Sequence, residues 1–112
     1  MDKRFAIPLK DDIVSDHFGQ TKEFCLVDVS GRSILKVHVM RSPVHDRGVI
    51  PEWLGSQGVT HVFANGIGQK AIDMLTDGGI EVIWGVPADK PEILVKAYLD
   101  SQLVPGINLC DH

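Results

Sequence analysis

At 112 residues, the chain has room for one compact domain and not for two ordinary ones. Hydrophobic residues make up 44% and charged residues 23%, a globular composition that excludes a disordered chain. The balance of 11 Lys plus Arg against 15 Asp plus Glu, a net charge of −4, does not suit a nucleic-acid backbone as the main partner.

The elements follow in chain order. Lys3 to Leu9 is short, apolar and closed by Lys10-Asp11-Asp12, which predicts a first strand. Phe24 to Val29 alternates, with Cys25, Val27 and Val29 on one face and Phe24, Leu26 and Asp28 on the other. The turn Ser30-Gly31-Arg32 then leads into Leu35 to Met40, which alternates again, so these two runs form a hairpin. After Ser42-Pro43 the period changes. Pro51 sits where a helix can begin and Gly58 where it ends. His61 to Ala64 is a short buried strand, and Gly68 to Thr76 is a helix stopped by Gly78-Gly79. Ile80 to Trp84 is a further strand, and Asp89 is the expected cap of a last helix with Pro91 in its first turn. The predicted order is βββαβαβα. It implies an α/β domain over residues 1–112, a five-stranded mixed sheet flanked by helices, and an irregular tail at residues 101–112.

No apolar run reaches membrane-spanning length, and Met1 to Phe5 is not followed by the apolar stretch of a signal peptide. Two cysteines make no disulfide framework, so a reducing, cytoplasmic setting is expected, with neither membrane nor nucleic acid as partner.

The candidates for chemistry lie in loops. His17 follows the first strand in Ser15-Asp16-His17-Phe18-Gly19, where an imidazole can serve as a ligand or stand solvated beside a turn glycine. His45 sits between the third predicted strand and the first helix, near a helix start that favours anions. Cys110 and His112 offer a soft sulfur and an imidazole two residues apart. With no CxxC or HxxxH to complete four ligands, a closed zinc site is not expected. Cys25 reads as a core residue, and His38 and His61 as structural or exposed.

Asn65-Gly66-Ile67-Gly68-Gln69-Lys70-Ala71 matches G-x-G-x-x-A at a strand-to-helix turn. A dinucleotide reading fails, because the motif follows the fourth predicted strand and the next one ends in Trp84-Gly85 without an acidic residue for a ribose. What survives is a helix start with close backbone access for an anion. Motifs of phosphate-binding NTPases, serine hydrolases and zinc proteases are absent, and no acid–base pair stands out.

Taken in order, Phe5-Ala6-Ile7-Pro8, Val14 to Gly19, Ile50 to Leu54, Ala64 to Ile72 and Cys110-Asp111-His112 resemble the dinitrogenase iron–molybdenum cofactor biosynthesis family. The resemblance implies a ribonuclease H-like fold. It also implies a non-catalytic protein that binds, carries or helps assemble a metal–sulfur cluster of iron–sulfur, iron–molybdenum or molybdenum–copper type, exchanged with a donor or acceptor protein. Carried over by position, His17, Phe18, Gly19, Asn65, Gly66, Ile67 and Gly68 become cofactor-binding candidates, and His17, His45, Cys110 and His112 metal-ligand candidates. The alternative is a small interaction or sensing module that takes a phosphorylated metabolite or a partner protein at Gly66 to Gly68.

Overall fold

A computed structural model describes residues 2–43 and 49–103. Its strands are β1 (Lys3–Lys10), β2 (Ile13–Val14), β3 (Glu23–Ser30), β4 (Ser33–Arg41), β5 (His61–Ala64) and β6 (Glu81–Trp84). Three helices join them: α1 (Val49–Ser56), α2 (Gln69–Asp77) and α3 (Pro91–Leu99), with a 3₁₀ turn at Phe18–Gln20.

The sheet has six strands, which corrects the expected five. Its main path is β4-β3-β1-β5-β6, and β2 pairs with β1 beside that path. The additional strand arises because Lys10 pairs with Ile13, leaving Asp11 and Asp12 as a two-residue turn. Both have positive φ, 54° and 68°, the conformation of a type I′ hairpin turn. Such turns are usually announced by Asn-Gly. Here two aspartates adopt the left-handed region, so the charged run reads in the sequence as a strand end.

Pairing of β1 with β3, and of β3 with β4, is antiparallel, whereas β1–β5 and β5–β6 are parallel. The carboxyl ends of β1, β4, β5 and β6 therefore share one edge of the sheet. All of β3 from Phe24 to Val29 is buried, because helices cover both faces. Phe24 and Leu26 belong to one cluster with Ile50 and Leu54 of α1 and Leu75 of α2. Cys25, Val27 and Val29 belong to a second, with Leu94 and Val95 of α3. Two helices on one face and one on the other give a three-layer α/β architecture. The period-2 alternation in β3 separates two cores rather than a core from solvent.

Asp28 is the exception in that strand. It is buried, and Arg4 of β1 meets it with two bonds, Nε to Oδ1 at 2.6 Å and Nη2 to Oδ2 at 3.1 Å. Arg4 Nη1 also donates to the Gln57 carbonyl at 2.6 Å, which ties the end of α1 to the sheet. The paired guanidinium holds the Asp28 carboxyl below its ordinary value.

Helix ends follow glycine geometry. Gly58, at φ +75°, closes α1, and Gly79, at φ +81°, follows the Gly78 cap of α2. At α3 the expectation is corrected: the N-cap is Lys90, and no side chain caps the helix. Asp89 instead accepts the Lys90 N–H at Oδ1, and its carbonyl accepts from Val14 N. Among the described residues no helix is long and apolar enough to cross a membrane.

Candidate functional site

The carboxyl edge of the parallel strands is where chain crossings leave a cleft. From β1 the chain turns toward β3 on one side, while β5 and β6 lie on the other, so the connections diverge at β1. Hydrogen bonds gather the divergent loops. Phe18 N donates to the Gly66 carbonyl at 3.0 Å, joining the loop after β2 to the turn after β5. Val14 N donates to Asp89 O at 3.1 Å, and Asn65 Nδ2 donates to Val86 O at 2.7 Å, adding the turn after β6. On the far side, Ser42 N donates to Lys22 O at 2.9 Å and Ser42 Oγ to Thr21 O at 2.6 Å, which docks the end of β4.

The loop that carries His17 is braced from within. The Ser15 hydroxyl lies 3.2 Å from both the His17 amide N and the His17 carbonyl O, and Thr21 Oγ1 donates to that carbonyl at 3.1 Å. Phe18 anchors it, being buried edge-on against Phe24 with ring centroids 5.6 Å apart. This burial places the His17 side chain outward, about half exposed, with Nε2 4.0 Å from Asp16 Oδ2.

Two shallow clefts flank Asp16, and His17 lines the first of them. One, of about 290 Å³, is lined by Leu9, Lys10, Ser15, Asp16, His17, Thr21, Lys22 and Glu23. The other, of about 220 Å³, runs past Lys10, Asp11, Ile13, Val14, Asp16, Asn65 and Ala88. Lys10 and Asp16 border both. Sequence reasoning passed over Lys10, Thr21, Lys22 and Glu23. Lys10 reads there as a strand terminator, and Lys22 and Glu23 as the approach to the next strand; only the β1–β3 pairing sets them around one opening.

The remaining candidates divide by burial. Ile67 is fully buried in the core under α1 and α2, and Phe18 lies in the same cluster, so neither side chain is open to a ligand. The Asn65 side chain is used by Val86. Gly66 is buried, whereas Gly68 is the N-cap of α2, where no side chain offers the first turn a cap hydrogen bond. At Gly19 and Gly68 an added Cβ would meet no heavy atom within 4 Å, and neither has positive φ. Nothing in the described chain requires glycine at these two positions. His45, Cys110 and His112 lie outside the described residues.

The other cysteine and histidines take structural places. Cys25 is buried, and that burial pushes its thiol up to about 11. His61 stands at the opposite edge of the sheet, its ring 4.8 Å from that of Phe5 and its Nε2 3.1 Å from Glu81 Oε2. Burial lowers its affinity for a proton, against the opposing pull of Glu81. His38 pairs with Leu26 on β4 and is half-buried. Among the described residues no group of three or more His, Cys, Asp or Glu side chains is placed to hold a metal ion. The described side chains at this edge mix two lysines, Lys10 and Lys22, with the carboxylates of Asp11, Asp16 and Glu23, beside the outward imidazole of His17. Among the described residues that set makes no closed metal centre.

The fold has counterparts of nearly equal length. PH0822, a protein of known crystal structure, is 33% identical, with 91% of this chain and 93% of that one aligned at a TM-score of 0.85. The apo form of the orange protein from Desulfovibrio gigas aligns over 95% and 94% at a TM-score of 0.75 and 22% identity. A protein of Methanocaldococcus jannaschii aligns over 96% and 98%, again at 0.75, with 16% identity. No curated protein matches the chain. The family model described as dinitrogenase iron–molybdenum cofactor matches residues 1–101, a span that takes in all six strands, the loop of His17 and the turn of Gly66 to Gly68. By that match the chain belongs to the dinitrogenase iron–molybdenum cofactor family.

Proposed function

We propose that the protein binds an anionic metal–sulfur cluster as cargo, of iron–sulfur, iron–molybdenum or molybdenum–copper type, and carries it between a donor and an acceptor protein without catalysing a reaction. The observation that carries this reading is the Phe18 N–H bond to the Gly66 carbonyl at 3.0 Å, which sets the His17 loop against the Gly66 to Gly68 turn. In that arrangement His17 is the exchangeable ligand. The open approach at Gly68, together with the first turn of α2, supplies N–H donors toward sulfide. Lys10 and Lys22 border the cleft and offset the carboxylates of Asp16 and Glu23 there. Backbone donors neutralise charge without competing for the metals, so a cluster held this way can be handed on.

The same reading takes the fold as ribonuclease H-like. Its support is the central β1, with the antiparallel pairings β1–β3 and β3–β4 on one side and the parallel pairings β1–β5 and β5–β6 on the other. The turn at Gly66 to Gly68 also supports a second reading, a phosphorylated metabolite at the start of α2, because Gly68 leaves that approach open.

Anaerobic reconstitution with iron, sulfide and molybdate or thiomolybdate, followed by absorption spectra and metal analysis, tests the first reading. Stable loading that drops when His17, His45 and Cys110 are replaced together is the expected result. Undiminished loading of that variant contradicts the assigned site. Thermal shifts with nucleotides and no shift with any cluster favour the second reading.

A further inference from the structure

β4 is an edge strand, and among the described residues it pairs with β3 alone. Its pairing shifts register opposite the Asp28–Val29 step, where Leu35 is the extra residue and stands exposed. The regular edge therefore runs from Lys36 to Arg41, about 20 Å of extended backbone. Its two faces differ. Val37 and Val39 lie opposite Val27 and Cys25, which are buried, yet they are themselves 38% and 52% exposed. On the other face Lys36, His38 and Met40 lie opposite Asp28, Leu26 and Phe24.

The charge of this edge is opposite to that of the chain. There are 15 Asp plus Glu against 11 Lys plus Arg, yet none of those acids lies between Asp28 and Asp46, a stretch that carries Arg32, Lys36 and Arg41. Arg32 is paired with Asp100. Lys36 faces Asp28 across the strands, but that carboxylate already accepts two bonds from Arg4. Lys36 thus sets an exposed positive charge at the start of a regular strand edge. A lysine there, like the bulge beside it, is an ordinary guard against pairing with a like strand. It deters a second copy of this chain, whose β4 brings the same cations and no carboxylate to the seam. It favours a strand that carries carboxylates.

From these observations we infer that Lys36 to Arg41 is a docking edge for an extended, acidic segment of a partner protein, added to the sheet as a further strand. Main-chain hydrogen bonds to β4 supply the attachment. Strand alternation sets the sequence taken: apolar residues against Val37 and Val39, and Asp or Glu against Lys36 and His38. Ser42, next after the strand, bonds to Thr21 O and Lys22 O, so one end of the docked segment lies toward the cleft of His17. The inference rests on the edge strand and its charge, and stands whatever cargo the cleft takes.

Amide NMR of the full, metal-free chain, titrated with a capped hexapeptide of alternating Glu and Val, tests the docking. Shifts are expected at residues 36–41, and the same peptide with Lys in place of Glu should bind about threefold more weakly or worse. Lys36→Glu is expected to reverse that order. Lys36→Gln, a milder change at the same exposed position, is expected to remove the preference and reads the charge if the first variant does not fold. No shift at β4 with the acidic peptide overturns the inference, and so does equal binding of the two peptides. Shifts at β4 that follow protein concentration without peptide assign the edge to a second copy and overturn it as well. Exchange protection at every amide from Lys36 to Arg41 in the free chain has the same consequence, because the chain then covers its own edge.

Discussion

At the residue scale, Arg4 and Asp28 show how a charge is kept inside a small core. Asp28 is buried among valines of β3, and the two bonds from Arg4 replace the water it loses. Its lowered proton affinity sets the sign of a pH effect. The stabilisation is complete above the ordinary value of 3.8 and is lost as pH falls through the lower native value. Arg4→Ala leaves the carboxylate unpaired and is expected to cost roughly 3 kcal/mol at pH 7. Urea unfolding of both chains at pH 7 and pH 3.5 checks this: the deficit should shrink at the lower pH, and an equal deficit at both contradicts it. Cys25 gives a chemical counterpart. With its thiol raised to about 11 by burial, it should resist alkylation at pH 7.5 in the folded chain and react once the chain is unfolded. Gly68 connects the residue scale to function. Gly68 is the N-cap of α2, where Ala is poorer than Gly, so the backbone-entropy gain of Gly68→Ala is offset and stability should change by less than about 0.5 kcal/mol. The same methyl group stands in the approach to α2, so cluster retention should weaken roughly tenfold, or about 1.4 kcal/mol. A folded variant that retains cargo equally well argues against Gly68 as a contact.

At the scale of elements, the alternation of Phe24 to Val29 and the glycines after α1 and α2 were legible because each rests on local geometry. The hairpin of β1 and β2 was not, because Asp11-Asp12 carries no signal of the turn it forms. Replacing Asp12 by Gly should relieve the left-handed strain and stabilise the chain by about 0.5–1 kcal/mol, measurable in thermal unfolding. An unchanged midpoint contradicts that assignment of strain. The cap of α3 escaped for a related reason. Asp89 has the composition of a cap, yet its carbonyl is committed to Val14 and its carboxylate to Lys90 N, so the tertiary contact decides its geometry. His17 and the Gly66 turn could be singled out as loop features. Their convergence could not, since the Phe18–Gly66 bond joins segments far apart in the chain. Lys10 and Lys22 stayed unnoticed for the same reason.

At the scale of the whole molecule, the two ends of the sheet do different work. The amino edge of β1 and β5 is packed and structural, with His61, Phe5 and Tyr98 in mutual ring contact. The carboxyl edge is loop-built and open, its divergent connections held together by backbone hydrogen bonds. The net charge of −4 does not suit a polyanionic backbone as the main partner, whereas a compact anionic cluster meets only the donors at one edge, which act locally. The most direct test is to map amide chemical shifts as tetrathiomolybdate is added anaerobically to the folded chain. The account predicts changes concentrated at residues 15–22 and 65–71, with the amino edge around His61 and Tyr98 unmoved. Changes centred on that amino edge, or none at all, would contradict it.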